Sequence, residues 1–266
     1  MALTNTELKI LISLKQKKFR QEHGLYLIEG EHLLRELLRS PYKTNIQDIY
    51  LSTSLVQNEK NSTEELLSFI KISTHHKPQI LKDKEFERFS DTVNNQGIAA
   101  SVKLETDDSS LLKNDDLIVY LDNISDPGNM GTIMRNCYWY GVDKLIISEN
   151  SVDIYNPKVI RASQGSIFYL NILTGAQDMI IGDYLKNDFQ VYITSLKTTN
   201  YSDTMKFKDN KAMFVFGNES SGVSGNLLNI PGSEKVKIRG FSKCESLNVA
   251  VSSGIILHDY RRSLQK

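Results

Sequence analysis

Three loops in the second half of the chain carry residue types that can do chemistry. The first, LDNISDPGNMGTIMRN (121–136), runs from a strand through an Asp126-Pro127-Gly128-Asn129 turn to a helix that Gly131 opens, with Arg135 one turn inside. Glycine lets backbone approach a ligand closely, and the first turn of a helix offers unpaired N–H groups to an anion or polar group. The loop is neither GxGxxG nor a Walker loop, so neither nucleotide fingerprint applies. The second, FVFGNESSGVSG (214–225), sets Glu219 among Gly217, Gly222 and Gly225 after an apolar strand. Such a loop at a strand's carboxyl end is where open α/β sheets bind ligands. The third, KIRGFSKCESLNVAVSSGIILHDY (237–260), places Ser246 at the N-cap or first turn of the last helix. Asn248 follows, a poor residue for a helix interior, and Ser252, Ser253 and Gly254 allow close approach of another helix. Taken singly, each loop is equally a connection, a solvated turn or a cap.

These loops need a scaffold of strands. DLIVYLDN, DKLIIS, YLNIL, QVYITSL, KAMFVFG and EKVKIRG read as strands, and the near-continuous apolar content of the first suits a buried parallel sheet. Helical segments alternate with them, and SLNVAVSSGIILHDYRRSL closes the chain as a long helix. The pattern predicts a parallel sheet with helices on both faces. Residues 1–104 form a separate α/β unit: a helix from Thr4 to about Arg20, then LYLIEG, EHLLRELLRS, DIYLS, TEELLSFIKIS capped by Thr63, QILK, KEFERFS and GIAASVKL. The polar stretch ETDDSSLLKNDD places a linker at 105–115, leaving 116–266 as the second domain.

Composition narrows the classes. Lys plus Arg equal Asp plus Glu at 32 each, and hydrophobic residues make up 40%. That excludes wholesale disorder and argues against a protein that coats nucleic acid non-specifically. No apolar run reaches the ~18–20 residues of a membrane span, and the N-terminus lacks signal-peptide character. Cys137 and Cys244 are too few for a disulfide framework, so a cytoplasmic setting is expected. No metal-ligand spacing is visible, and no metal is expected. The first 23 residues are locally basic, with Lys9, Lys15, Lys17, Lys18 and Arg20 against Glu7 and Glu22.

In this order, DNISDPGNMGTIMR, FGNESSG and SLNVAVSSGIIL resemble the SpoU, or TrmH-like, family of RNA ribose 2′-O-methyltransferases, of the SPOUT class. KKFRQEHGLYLIEGEHLLREL (17–37) and NNQGIAASV (94–102) are similar to that family's substrate-binding domain, related to a ribosomal protein. The resemblance implies an α/β protein with a C-terminal trefoil-knotted, parallel-sheet methyltransferase domain and a small N-terminal α/β substrate-binding domain. It implies S-adenosylmethionine as cofactor, an RNA substrate and a homodimer. Asn129 and Arg135 match the first motif, Glu219 and the preceding Gly217 the second, Ser246 and Asn248 the third. Arg135, Asn129, Glu219, Ser246 and Asn248 are thereby the expected catalytic residues. Thr194, Leu196, Gly217, Ile238 and Leu247 would surround the cofactor. One departure is that Ile238 is followed by Arg239 where the family often has proline.

A guanidinium is a poor general base, so Arg135 is expected to stabilise a developing alkoxide or grip the adjacent phosphate. Glu219 is expected to orient Arg135 or a loop N–H. Lys15, Lys17, Lys18 and Arg20 are candidate phosphate contacts. Tyr138, Trp139 and Tyr140 follow Arg135 on one helix and are expected in the core or a dimer interface. The two-domain layout favours large-subunit ribosomal RNA over transfer RNA. The competing readings are a non-catalytic RNA-binding protein on the same fold and a nicotinamide enzyme, which lacks its glycine fingerprint.

Overall fold

The computed structural model describes residues 3–57, 61–104, 115–176, 179–208 and 211–265. Most of the expected linker, residues 105–114, lies outside the described residues. In chain order the first elements are α1 (Asn5–Ser13), α2 (Lys17–His23), β1 (Leu25–Glu29), α3 (Glu31–Arg39), β2 (Ile46–Ser52), α4 (Thr53–Gln57), α5 (Asn61–Ser73), β3 (Gln79–Leu81), α6 (Asp83–Phe89) and β4 (Ile98–Lys103). Then follow β5 (Leu117–Leu121), α7 (Pro127–Trp139), β6 (Lys144–Ser148), α8 (Pro157–Ser163), β7 (Ile172–Ala176), α9 (Met179–Lys186), β8 (Gln190–Thr194), β9 (Ala212–Phe216), α10 (Gly225–Leu228), β10 (Glu234–Val236) and α11 (Val249–Ser263). Packing divides them into two compact units, Met1–Thr106 with Asp153–Tyr169, and Asp107–Val152 with Leu170–Lys266.

The first unit holds a four-stranded sheet in the order β1-β4-β2-β3, with β4 antiparallel to both neighbours and β2 parallel to β3. Leu8, Leu11 and Leu14 of the N-terminal region join Leu27, Tyr50, Leu81, Phe86 and Phe89 in one apolar cluster. The expected single helix from Thr4 to Arg20 is two helices. Thr4 caps the first, exchanging hydrogen bonds with Glu7 in a capping box. That helix stops at Leu14, and Arg20 donates from one nitrogen to the carbonyls of Leu14 (2.8 Å) and Lys15 (3.0 Å), satisfying acceptors that a helix end leaves open. Thr63 is buried inside α5 and is not its cap. The segment 153–169 packs within this unit. Asp153 pairs with Arg20, Arg161 with Asp91 (3.0 Å), and the Tyr155 ring sits 4.6 Å from that of Tyr26.

The second unit holds six strands, all parallel, in the order β10-β8-β9-β5-β6-β7. Alternation along the strands sends side chains to two covered faces. Val191, Ile193, Met213 and Val215 pack with Ile181 and Tyr184 of α9. On neighbouring positions, Tyr192 stacks on Phe214 at 5.1 Å, and Tyr260 of α11 meets Phe214 at 5.2 Å and Phe207 at 5.6 Å. β5 leads to β6 on one side and adjoins β9 on the other, so the sheet's winding reverses at the β5/β9 pair. Ligands bind outside the carboxyl ends of such a switch point.

Three buried polar groups bear on the stability of this unit. Lys144 and Asp115 lie 2.8 Å apart and are both almost wholly buried, so removing Lys144 strands the Asp115 carboxylate. The Tyr184 hydroxyl is buried with no hydrogen-bond partner among the described residues, and burial pushes its pKa up to about 12. An unsatisfied buried hydroxyl costs about 1–3 kcal/mol. Tyr184→Phe is therefore expected to raise the melting temperature by about 2–12 °C in calorimetry. A lower melting temperature would show that the hydroxyl is satisfied.

Candidate active site

The site begins at the N-terminus of α7. Asp126 is its N-cap, with Pro127 at the first helical position, and accepts from the Asn129 N–H at 2.7 Å. The helix therefore starts four residues before Gly131, which is buried within it and does not open it. This early start puts Asn129 in the first turn, facing the loops that follow β9 and precede α11.

Asn129 joins those loops. Its Nδ2 donates to Glu219 Oε1 at 2.7 Å, and its Oδ1 accepts from Asn248 Nδ2 at 2.8 Å. Asn248 Oδ1 accepts from the Ala250 and Val251 N–H groups, at 2.9 and 3.3 Å, and so caps α11. The polarity runs one way. An ionised carboxylate only accepts, so Glu219 requires the amide nitrogen of Asn129, which leaves the oxygen for Asn248. Glu219 thus bonds the side chain of Asn129, where sequence reading expected it to orient Arg135 or a loop N–H. Ser246, expected at a cap or in a first turn, lies outside the helix. Its carbonyl accepts a 3.2 Å bond from Cys244 Sγ.

Glu219 sits at the tip of a tight loop closed by reciprocal backbone bonds between Asn218 and Gly222, of 3.0 and 2.9 Å. Asn218 Oδ1 accepts from the Ser220 N–H (3.0 Å) and Oγ (2.8 Å), and its Nδ2 donates to the Asn123 carbonyl at 2.9 Å. A Cβ on Gly217 would overlap the backbone of Gly222 and Val223, so only glycine permits this closure. Buried Asp122 accepts from the Ser224 N–H and hydroxyl, both at 2.7 Å. Sequence reading passed over Asn218 and Asp122. Their signal was a polar residue at the end of an apolar strand, Asp122 directly after Leu121 and Asn218 one residue further on, after Gly217.

Arg135 is exposed and makes no hydrogen bond or ion pair with the described residues. At 100° per residue it points about 120° away from Asn129 around the helix. Asn136, also passed over, returns to the Asn129 face. Its Nδ2 donates to the Ala250 carbonyl at 2.7 Å and Ser253 Oγ at 2.9 Å, locking α7 onto α11 beside Gly254. The guanidinium is thus left to solvent while its helix is held on another face.

Four of the five residues expected around a cofactor lie at or just past strand ends on one edge of the sheet. Thr194 ends β8, donating to the Val215 carbonyl at 3.0 Å, and Leu196 follows it, 62% exposed. Gly217 follows β9, and Ile238 lies two residues past β10. Leu247 precedes the α11 cap and is 50% exposed. β10, β8 and β9 are neighbours, so Thr194, Leu196, Gly217 and Ile238 share the carboxyl edge of three adjacent strands. Arg239 is held by Asp203, with bonds of 3.0 and 3.4 Å. The guanidinium keeps the Asp203 carboxyl below its ordinary range. The pairing is intact at neutral pH and is lost as pH falls through that lowered value.

Of the expected phosphate contacts, Lys17 and Lys18 are exposed, and Lys15 donates to the Ser90 carbonyl at 2.7 Å. Arg20 is a correction. It is only 3% exposed and is consumed by Leu14, Lys15 and Asp153, which leaves no face of its guanidinium for a phosphate. Among the described residues no three His, Cys, Asp or Glu side chains cluster as a metal site would need, and no helix is long and apolar enough to cross a membrane.

An all-parallel sheet, with three polar loops joined through one amide beyond its strand ends, defines an open α/β fold with a candidate ligand site at that edge. Residues 116–258 match the SpoU rRNA Methylase family, and residues 5–100 match the MRM3-like substrate binding domain. The chain belongs to the SpoU rRNA methylase family. It is 28% identical to the 23S rRNA (guanosine(2553)-2′-O)-methyltransferase RlmP of Bacillus subtilis over 97% of this chain and 96% of that one. It is 24% identical to the mitochondrial rRNA methyltransferase 3 of Mus musculus over 96% and 72% of the two chains. Its fold is that of the SpoU methyltransferase AviRb from Streptomyces viridochromogenes, with a TM-score of 0.84 at 20% identity over 97% and 98% of the chains.

Proposed function

We propose that this enzyme transfers the methyl group of S-adenosylmethionine to a ribose 2′-hydroxyl of RNA, and that its RNA is large-subunit ribosomal RNA. The observation that carries this reading is the Glu219–Asn129–Asn248 chain, which ties all three motif loops together, with an exposed Arg135 further along the same helix as Asn129. The rRNA-methylating relatives that align along nearly the whole chain support the choice of RNA. The knot, the cytoplasmic setting and the division at 104 and 116 belong to the same proposal.

The residues at the sheet edge suit the cofactor. Exposed Leu196 and Leu247 with part-exposed Ile238 offer apolar surface to a planar base, and the adjacent strand ends offer backbone donors and acceptors for its polar edge. When bound, S-adenosylmethionine supplies a methyl group on a cationic sulfur, a good leaving group that needs no metal. With the cofactor held there, the ribose oxygen would take the methyl as its bond to sulfur breaks, and the hydroxyl proton would pass to water. Arg135 stabilises the oxygen as negative charge develops on it, or fixes the neighbouring phosphate with paired N–H donors. Asn129 and Asn248 hold the loops in register so that oxygen, methyl and sulfur are in line. Ser246 lies beside Leu247 and offers its hydroxyl to the ribose or a phosphate. Lys15, Lys17 and Lys18 serve as phosphate contacts.

The homodimer is part of this reading. Trp139 is 83% exposed, and a depression of about 400 Å³ between α7 and α11 is lined by Asn136, Tyr140, Val251, Ile255 and His258. An exposed aromatic residue and a depression with an apolar floor on the same pair of helices offer surface that a second copy can cover.

The test is transfer of labelled methyl from S-adenosylmethionine to total RNA, followed by size fractionation. Label confined to large ribosomal RNA is expected. Label confined to transfer RNA would overturn the assigned target, and no label in any RNA, naked or in ribosomal particles, would overturn the reaction.

A further inference from the structure

The segment between β10 and α11 is exposed from Gly240 through Asn248, yet it must place Ile238 at one end and Leu247 at the other. Its far end is held by Asn248, through Asn129 and the α11 cap. Its near end is held by Arg239. The guanidinium donates to both carboxylate oxygens of Asp203, and its carbon lies 4.0 Å from the centre of the Tyr201 ring. These partners are themselves fixed. Lys237 donates its N–H to the Asn200 carbonyl at 3.0 Å and accepts from the Ser202 N–H at 2.9 Å, so this strand extension lies parallel to 200–202. Ser202 Oγ donates to buried Asp259 of α11 at 2.7 Å, and Arg262 of α11 donates to the Asp203 carbonyl at 3.3 Å.

Ile238 therefore sits between Lys237, locked by backbone bonds, and Arg239, locked by its side chain. Two fixed neighbours hold one peptide in one orientation. A bidentate guanidinium–carboxylate pair that also stacks on an aromatic ring restrains direction as well as distance, which a lysine ammonium does not.

We propose that Arg239, clasped by Asp203 and Tyr201, is a positioning residue that fixes the Ile238 peptide for the cofactor. This rests on the reading of Thr194, Leu196, Gly217, Ile238 and Leu247 as cofactor positions. In this role Arg239 acts through the backbone it holds, not on the reacting atoms. Its effect is on cofactor affinity, and any device that fixes the same backbone can replace it. Proline is such a device, because its ring sets φ. The Arg239 N–H makes no hydrogen bond among the described residues, so proline removes no needed donor.

The test is calorimetric titration of S-adenosylmethionine into the full chain, as wild type, Arg239→Ala, Asp203→Asn and Arg239→Pro, each with its melting curve. Arg239→Ala and Asp203→Asn are expected to raise the Kd about tenfold. Arg239→Pro is expected to stay within about twofold of wild type. Asp203→Asn keeps the side-chain size and tests the same contact should Arg239→Ala fail to fold. Wild-type affinity in the folded Arg239→Ala and Asp203→Asn variants would overturn the clasp alone, as would an Arg239→Pro variant as weak as Arg239→Ala. A wild type that does not bind S-adenosylmethionine would overturn the cofactor reading and the clasp together.

Discussion

Arg135→Lys lowers turnover by about a hundredfold or more and leaves the melting temperature within about a degree of wild type. The stability half follows from exposure, since the guanidinium makes no contact that folding depends on. The activity half follows from geometry. Arginine presents a planar fork of N–H donors, and lysine presents a compact ammonium that cannot grip two oxygens in parallel. Losing one preorganised donor at a developing oxyanion costs about 2.7–4 kcal/mol of barrier. The loss appears in kcat at saturating cofactor, with cofactor Kd unchanged. Near-wild-type turnover would mean that Arg135 is an ordinary surface residue.

Asn129→Asp is expected to be as damaging, and Glu219→Gln to rescue it. Aspartate keeps the size of asparagine and can still accept from Asn248. It cannot donate to Glu219, so two carboxylates face each other where an amide now donates at 2.7 Å. The pair separates and the second loop is released from the first. Turnover should fall about a hundredfold, the scale of a small misplacement at a reacting centre. In the double variant, the glutamine amide introduced by Glu219→Gln supplies the donor, and the hydrogen bond re-forms with its polarity reversed. Recovery to within about tenfold of wild type, measured as a double-mutant cycle, would establish the contact itself as the functional element. A double variant no better than Asn129→Asp would assign Glu219 a charge-dependent role.

How much of this was legible in the sequence differs by feature. The strands of the second unit were legible because buried parallel strands are apolar nearly throughout, and 117–121 and 212–216 are buried at every position. The start of α7 was misread because Pro127-Gly128 resembles a turn. Asp126 before Pro127 is equally an N-cap signal, and only the hydrogen bond to Asn129 decides between them. The break between α1 and α2 has no glycine or proline to mark it. It depends on Arg20, which closes the end of α1 and pairs with Asp153, far away in the chain. No local pattern carries that information, and the same holds for the packing of 153–169 with the first unit. At the site, residue types and loop order were legible, but the pairing was not. Glu219 and Asn248 lie 90 and 119 positions beyond Asn129 along the chain, and only the sheet brings the three together.

The measurement that bears most directly on the central claim is the chemical position of the transferred methyl. Large-subunit ribosomal RNA would be labelled from S-adenosylmethionine by wild type and, in parallel, by Arg135→Lys, then hydrolysed in alkali. Cleavage of RNA by base requires a free 2′-hydroxyl. The account predicts that wild-type label survives in a dinucleotide that resists alkali, and that the Arg135→Lys sample carries about a hundredth of it. Label released as single nucleotides would place the methyl on a base and contradict the account.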